Sequence, residues 1–227
     1  MELLQRIEAR NEHIRSIRAQ GKATINLGAS HFTAEEFITV EKPASLRIEA
    51  FSLIGQPLFY LTTDGNVFEA LIPSENRFYR GTISSKHFSA RFPFFTGIGK
   101  IIPLMAGEMT RTDEEGLSTH YSPRENAYVI SQDLPEGSRR IYWIDPLHFA
   151  TIRAIELDHS RHARWEIHFA HFKKRDGIHF PTDVEFQDFG SGRSMKAHLL
   201  EWEINPPLKK GLFRLDAPKG VQVIDLQ

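Results

Sequence analysis

The chain contains no cysteine. That excludes disulfides, thiol catalysis and thiolate metal sites, and leaves the redox compartment open. It also lacks an excess of either charge: 28 basic residues against 29 acidic ones give a formal net charge of −1. Such a chain has neither the basic footprint of a nucleic-acid binder nor a charged tail. No hydrophobic run approaches the roughly 18 uncharged residues of a membrane-spanning helix. The opening Met1-Glu2-Leu3-Leu4-Gln5-Arg6 shows no apolar h-region, so the expectation is a cytoplasmic chain or a mature form whose leader has been cut away. There is no G-x-S-x-G nucleophile motif. Gly97-Ile98-Gly99 lacks the rest of a dinucleotide fingerprint and its strand context.

What the chain does have is phenylalanine, 17 in 227 residues. Phe is bulky and rigid, so this excess calls for a large apolar interior or an apolar site. The length suits one or at most two domains, and a single domain is expected to run over residues 1–227.

The hydrophobic pattern gives the fold class. Leu3, Leu4, Ile7, Ile14 and Ile17 fall near one face at helical spacing, with Gly21 as a natural stop, so an amphipathic helix is expected before Gly21. From Lys22 the period becomes two. Strands are expected at Lys22–Leu27, Ser45–Leu53, Pro57–Thr63, Asn66–Ile72 and Arg77–Gly81. Asp64-Gly65 supplies the strongest hairpin signal. After residue 117 further strands are expected at Ala127–Gln132, Arg139–Ile144, Ala150–Leu157, Ala163–Phe172, Ile178–Gln187 and Arg193–Ile204. Tight turns join them, with no strand–helix alternation, so the reading is a mainly β protein built as an antiparallel meander. A sheet of about eleven strands tends to curl, giving a concave face for the Phe residues to line.

Ser85 to Gly107 breaks the strand pattern. It holds Phe88, Phe92, Phe94, Phe95, Ile98, Ile101, Ile102, Leu104 and Met105, and Lys100 is its only charge from Phe92 onward. Ile98, Ile101, Ile102 and Met105 have helical spacing, while Pro93, Gly97, Gly99 and Pro103 interrupt it. One reading is an ordinary core helix. The other is a mobile apolar cover over a concave sheet, which implies a lipid-like ligand.

Polar chemistry is sparse. His159, His162, His168 and His171 cluster, but on a regular strand His162 and His168 share a face and His171 points to the other. No metal site is therefore expected. His120, His148 and His179 have no partner visible in the sequence. The adjacent pairs Glu35-Glu36 and Glu114-Glu115 read as solvated loops. Phe172-Lys173-Lys174-Arg175 and Arg77-Phe78-Tyr79-Arg80 are too short for a nucleic-acid surface.

Three stretches resemble a known family. Asn205-Pro206-Pro207, Leu212-Phe213-Arg214-Leu215 and Ala217-Pro218-Lys219-Gly220-Val221-Gln222-Val223-Ile224-Asp225 look like the C-terminal signature of LolA-type periplasmic lipoprotein carriers. Val40-Glu41-Lys42-Pro43-Ala44-Ser45-Leu46-Arg47 resembles their turn in which a basic residue precedes Pro. Gly55-Gln56-Pro57 and Asp64-Gly65 also suit LolA and the related outer-membrane receptor LolB.

The resemblance implies a half-open antiparallel β-barrel covered by the N-terminal helix and a helical lid insertion. It further implies an apolar cavity for lipoprotein acyl chains or other lipids, no enzyme activity and no cofactor. The cavity and lid would be lined by Phe88, Phe92, Phe94, Phe95, Ile98, Ile101, Ile102 and Met105, with Leu46 and Ile48 from the sheet. Lys42 matches the basic position that helps close the lid in LolA. Here it is Lys rather than Arg, without the forked donor geometry. Envelope proteins would be further partners, with peripheral or lipid-anchored membrane contact and a periplasmic or outer-membrane location. The alternatives are an envelope scaffold of the same fold with a filled cavity, and an enzyme on a curled sheet.

Overall fold

The structure, a computed structural model, describes residues 2–28, 30–92, 104 and 116–226. In chain order its regular elements are α1 (Glu2–Glu12), β1 (Ser16–Asn26), β2 (His31–Glu41), β3 (Ser45–Phe51), β4 (Pro57–Thr63), β5 (Val67–Ile72) and β6 (Arg77–Thr82). Then come α2 (Lys86–Arg91), β7 (Leu117–Ser122), β8 (Ala127–Asp133), β9 (Arg139–Ile144) and β10 (Thr151–Leu157). The last are β11 (Ala163–Arg175), β12 (Ile178–Asp188), β13 (Arg193–Ile204) and β14 (Gln222–Leu226).

Among the described residues the strands form one open sheet in the order β14-β6-β5-β4-β3-β2-β1-β13-β12-β11-β10-β9-β8-β7. The sheet has two edges, β14 and β7, and is not closed. It holds 14 strands rather than about eleven. The additional ones are β2, β7 and β14. β2 hid behind the Glu35-Glu36 pair at its middle, and β7 is short and polar. β14 pairs parallel to β6, from Gln222 opposite Arg77 to Leu226 opposite Gly81. A parallel partner needs a long return connection rather than a hairpin, so no turn motif announced it.

The N-terminal helix is shorter than its apolar spacing suggests. It ends at Glu12, and β1 runs straight through Gly21. Ile17, Ala19, Gly21 and Ala23 are the buried residues there, two apart, with Arg18, Gln20 and Lys22 between them. The period is two, and the small side chains at three of those positions masked it. α1 itself buries Ile7 and is stitched by an Arg6–Glu2 pair at 2.7 Å.

The chain divides into two compact units. The first comprises Met1–His13, Ala23–Phe32 and Gly107–His198. Its core includes Ile7, Ile130, Tyr142, Ile144, Ile167, Phe180 and Val184. The guanidinium of Arg6 lies 5.3 Å from the Phe149 ring centroid, and Arg10 donates to the His179 carbonyl at 2.8 Å.

The second unit comprises Ile14–Lys22, Thr33–Ala106 and Leu199–Gln227. Its sheet carries residues in cross-strand rungs that alternate between the two faces, and the face that bears the charged rung also bears Phe37, Tyr60, Leu71 and Phe78. One rung is Thr39, Arg47, Thr62, Glu69, Arg80 and Asp225 across β2 to β14. The next, on the opposite face, is Ile38, Ile48, Leu61, Ala70, Tyr79 and Ile224. Alternation along each strand dictates this, since side chains two apart share a face.

The polar face holds the C-terminal segment that follows β13. Arg47 donates to the Leu212 carbonyl at 2.9 Å, and Glu69 accepts from the Leu215 N–H at 2.7 Å. Arg214 reaches Asp64 at 3.3 Å, and Arg80 meets Asp225 at 2.5 Å.

Candidate functional site

The apolar face of the second unit gathers the sequence-nominated residues that fall within the described chain. Leu46, Phe88 and Phe92 are buried in one cluster with Ile38, Val40, Leu61, Phe68, Ala70 and Tyr79, and Ile48 and Phe59 pack against it. Three successive rungs build it. Val40, Leu46, Thr63 and Phe68 form the first, Ile38, Ile48, Leu61 and Ala70 the second, and Glu36, Ala50 and Phe59 the third.

Helix α2 lays aromatic rings on this face. Ser85 caps it by accepting from the Phe88 N–H at 3.0 Å, which sets the direction of the single turn that follows. Phe88 lies 4.4 Å from Phe68 by ring centroids, and Phe92 lies 5.7 Å from Phe68, 5.4 Å from Tyr79 and 6.1 Å from Phe59. The tilted and edge-on geometries suit aromatic quadrupoles. Arg91 closes the rim, bonding Glu75 at 2.5 Å and covering the Tyr79 ring. Hydrogen bonds from Arg91 and Tyr79 hold the Glu75 carboxyl below its ordinary range.

Phe94, Phe95, Ile98, Ile101, Ile102 and Met105 lie outside the described residues, as do Glu114-Glu115. Lys42 sits in the turn between β2 and β3, half-buried, and its N–H donates to the Arg15 carbonyl at 2.9 Å.

Glu36 is the residue that sequence reasoning misplaced. It is not in a solvated loop but in β2, only 7% exposed, while its neighbour Glu35 points the other way to Gln20. The signal was present as Ala34, Glu36, Ile38 and Val40 two apart. Burial pushes the Glu36 carboxyl up to about 7.

The histidines of the first unit also differ from expectation. His171 takes a left-handed φ of 52°, which breaks the regular alternation and turns its ring toward Asp183 at 2.6 Å. Asp183 pairs with Ala170 across the strands, so His171 addresses the same face as His168, not the opposite one. His198 bonds the other Asp183 oxygen at 2.7 Å, and His168 pairs with Glu166 at 2.8 Å. Among the described residues no group of three or more His, Asp or Glu is placed to hold a metal ion. His148 and His179, partnerless in the sequence, stack with ring centroids 3.6 Å apart.

No family model and no curated protein matches the chain. Solved structures do. An outer membrane lipoprotein-sorting protein domain from Vibrio parahaemolyticus is 14% identical, with 93% of this chain and 94% of that one covered at a TM-score of 0.62. A DUF1329 family protein from Desulfovibrio piger is 13% identical, covering 94% and 95% at a TM-score of 0.65. A LolA superfamily protein from Nitrosomonas europaea is 10% identical, covering 94% and 97% at a TM-score of 0.59. At these identities the likeness concerns architecture, and the chain has a LolA-like fold.

Proposed function

We propose that the protein binds acyl chains of lipoproteins, or other lipids, in the bacterial envelope and hands them on without covalent chemistry. The observation that carries this reading is the apolar face of β2–β6. Three rungs that are mainly aliphatic and aromatic gather there into one buried cluster, on a fold shared with a lipoprotein-sorting domain. Burial of an acyl chain against such a surface supplies about 25 cal/mol per Å² before association costs. Phe94, Phe95, Ile98, Ile101, Ile102 and Met105 belong to the reading as further ligand contacts, and Lys42 as the residue that secures the cover. A periplasmic setting, with or without a lipid anchor, goes with this role.

A second reading is an envelope interaction protein whose apolar face is filled by its own α2. Phe88 and Phe92 favour it, being 3% and 4% exposed. Native mass spectrometry of gently purified protein, with titration of a fluorescent fatty acid, separates the two. Co-purified lipid and saturable binding support the carrier. Phe95→Asp or Ile102→Asp should then abolish binding while the far-ultraviolet circular dichroism of the sheet persists. No lipid and no binding support the filled face.

A further inference from the structure

Among the buried side chains of the apolar face described above, one carries a carboxyl group. Glu36 occupies the third rung, two residues from Ile38 on the same side of β2 and directly opposite Ala50. It is more than nine-tenths buried. Its neighbours on the face, Ala34, Ile38 and Ala50, offer neither hydrogen bond nor charge. No hydrogen bond or ion pair joins its carboxyl to any described residue, and desolvation alone governs its titration.

A buried carboxylate without a cation or donor is costly, and proteins retain such a group where something else supplies the partner. In this second unit the arginines of β3, β6 and α2 are committed elsewhere, Arg77 to Glu75 among them. Arg47 and Arg80 point to the polar face, where they hold the C-terminal segment, and Arg91 is paired with Glu75 at the rim. None of these groups, and no other described residue, pairs with Glu36.

We propose that Glu36 is the head-group anchor of the apolar site, and that the ligand it selects is an amphiphile carrying a protonated amine beside its acyl or alkyl chain. The chemistry follows from the surroundings. The chain of such a ligand lies along the rungs of Ile38, Ile48, Leu61 and Phe59, and the ammonium supplies three donors to a carboxylate that has none. An anionic head group would meet the same carboxylate with repulsion in a low-dielectric setting. A neutral hydroxyl would give only a single weaker hydrogen bond. This inference rests on the lipid-binding reading above and adds the head-group class.

The test uses the full chain and three probes, each a dansyl-labelled undecyl chain, ending in a primary amine, a hydroxyl or a carboxylate. Fluorescence titrations are run at about pH 8, above the titration of Glu36 and below that of the amine. The wild type should bind the amine about tenfold more tightly than the hydroxyl, with the carboxylate weakest. Glu36→Gln should bind amine and hydroxyl alike. Glu36→Ala, which matches the flanking Ala34 and Ala50, provides a second variant whose folding is checked by circular dichroism. If the wild type binds the hydroxyl probe but shows no amine preference, or if both folded variants keep the preference, the anchor is overturned and the lipid reading stands. If no probe binds the wild type, the lipid reading itself falls and the anchor with it.

Discussion

The Arg140 guanidinium and the Glu156 carboxylate meet at 2.5 Å, with side-chain exposures of 6% and 2%. They face each other across β9 and β10 in the first unit. Arg140 also lies 3.4 Å from the Tyr142 hydroxyl and 5.6 Å from the Trp165 ring centroid, and the exposed Arg164 reaches Glu156 at 3.4 Å. Two charges taken out of water this far are held by geometry, not by net Coulomb gain, so removing one leaves the other stranded. Glu156→Ala or Arg140→Ala should cost about 3–5 kcal/mol, while the double replacement Arg140→Met with Glu156→Leu should come close to neutral. Urea denaturation of the three variants checks this. A double variant as unstable as either single one would show that the pair stabilises beyond satisfying itself.

Glu36 should make stability fall as pH rises. Its carboxyl titrates near 7 in the folded chain against an ordinary 4.5. Below the ordinary value both states hold the proton and the group is silent. Between the two values the unfolded chain ionises while the folded chain keeps its proton, so each step up in pH favours unfolding. The loss levels off above the folded value at about 3 kcal/mol. Glu36→Gln should therefore be stabilised relative to wild type at pH 8 and not at pH 4, the difference growing between about 4.5 and 7. Denaturation midpoints across that window, with an unchanged urea dependence, are the measurement. Parallel pH profiles for the two proteins would contradict the burial of this carboxyl.

His179 produces the opposite slope. Burial, then the charge of His148, and then Lys174 and Arg10 hold His179 below its ordinary value. The stability that goes with the neutral His179 is thus complete above the ordinary histidine value of 6.5 and is lost as pH falls below it. Since Arg10 of α1 donates to the His179 carbonyl, the docked helix should be the element that loosens first. Hydrogen exchange of residues 2–12 should accelerate on mild acidification. His179→Gln should flatten that response. An acid response unchanged by the substitution would locate the sensitivity elsewhere.

These contrasts show what the residues disclosed and what they concealed. The strands Arg139–Ile144 and Arg193–Ile204 matched their expected bounds because each holds large apolar side chains and turns containing Gly or Pro lie beside them. β1 was concealed because period two there is written in Ala19, Gly21 and Ala23, whose small side chains carry almost no pattern weight, while Ile14 and Ile17 mimic a helix. β14 was concealed because its partner, β6, lies far away in sequence. The apolar cluster was legible through Phe88, Phe92, Leu46 and Ile48, since local hydrophobicity and tertiary burial agree there. Glu36 was not, because a charged residue on an inward face contradicts the binary pattern from which faces are read. Such local contradictions are where function is expected to sit.

The parallel closure of β14 onto β6 depends on Gly81. A Cβ added at this position would lie 1.9 Å from the Leu226 carbonyl oxygen and 3.2 Å from Cε1 of Phe68. The first contact is with backbone and cannot be relieved by turning a side chain. Gly81→Ala should therefore push β14 off the edge, breaking the ladder that pairs Leu226 with Gly81 and straining the Arg80–Asp225 contact beside it. Loss of this edge pairing, with Ile224 and Leu226 lifted from the apolar cluster, should cost about 2–3 kcal/mol. It should also expose the C-terminal segment to protease. A sharper check is limited proteolysis with mass analysis. Cleavage within residues 216–226 should appear in Gly81→Ala at protease levels that leave the wild type whole. Asp225→Ala removes only the exposed ion pair, so it should stay close to wild type. Equal resistance of Gly81→Ala and wild type would mean that β14 accommodates a methyl group, and that its close approach to β6 is not what holds the edge.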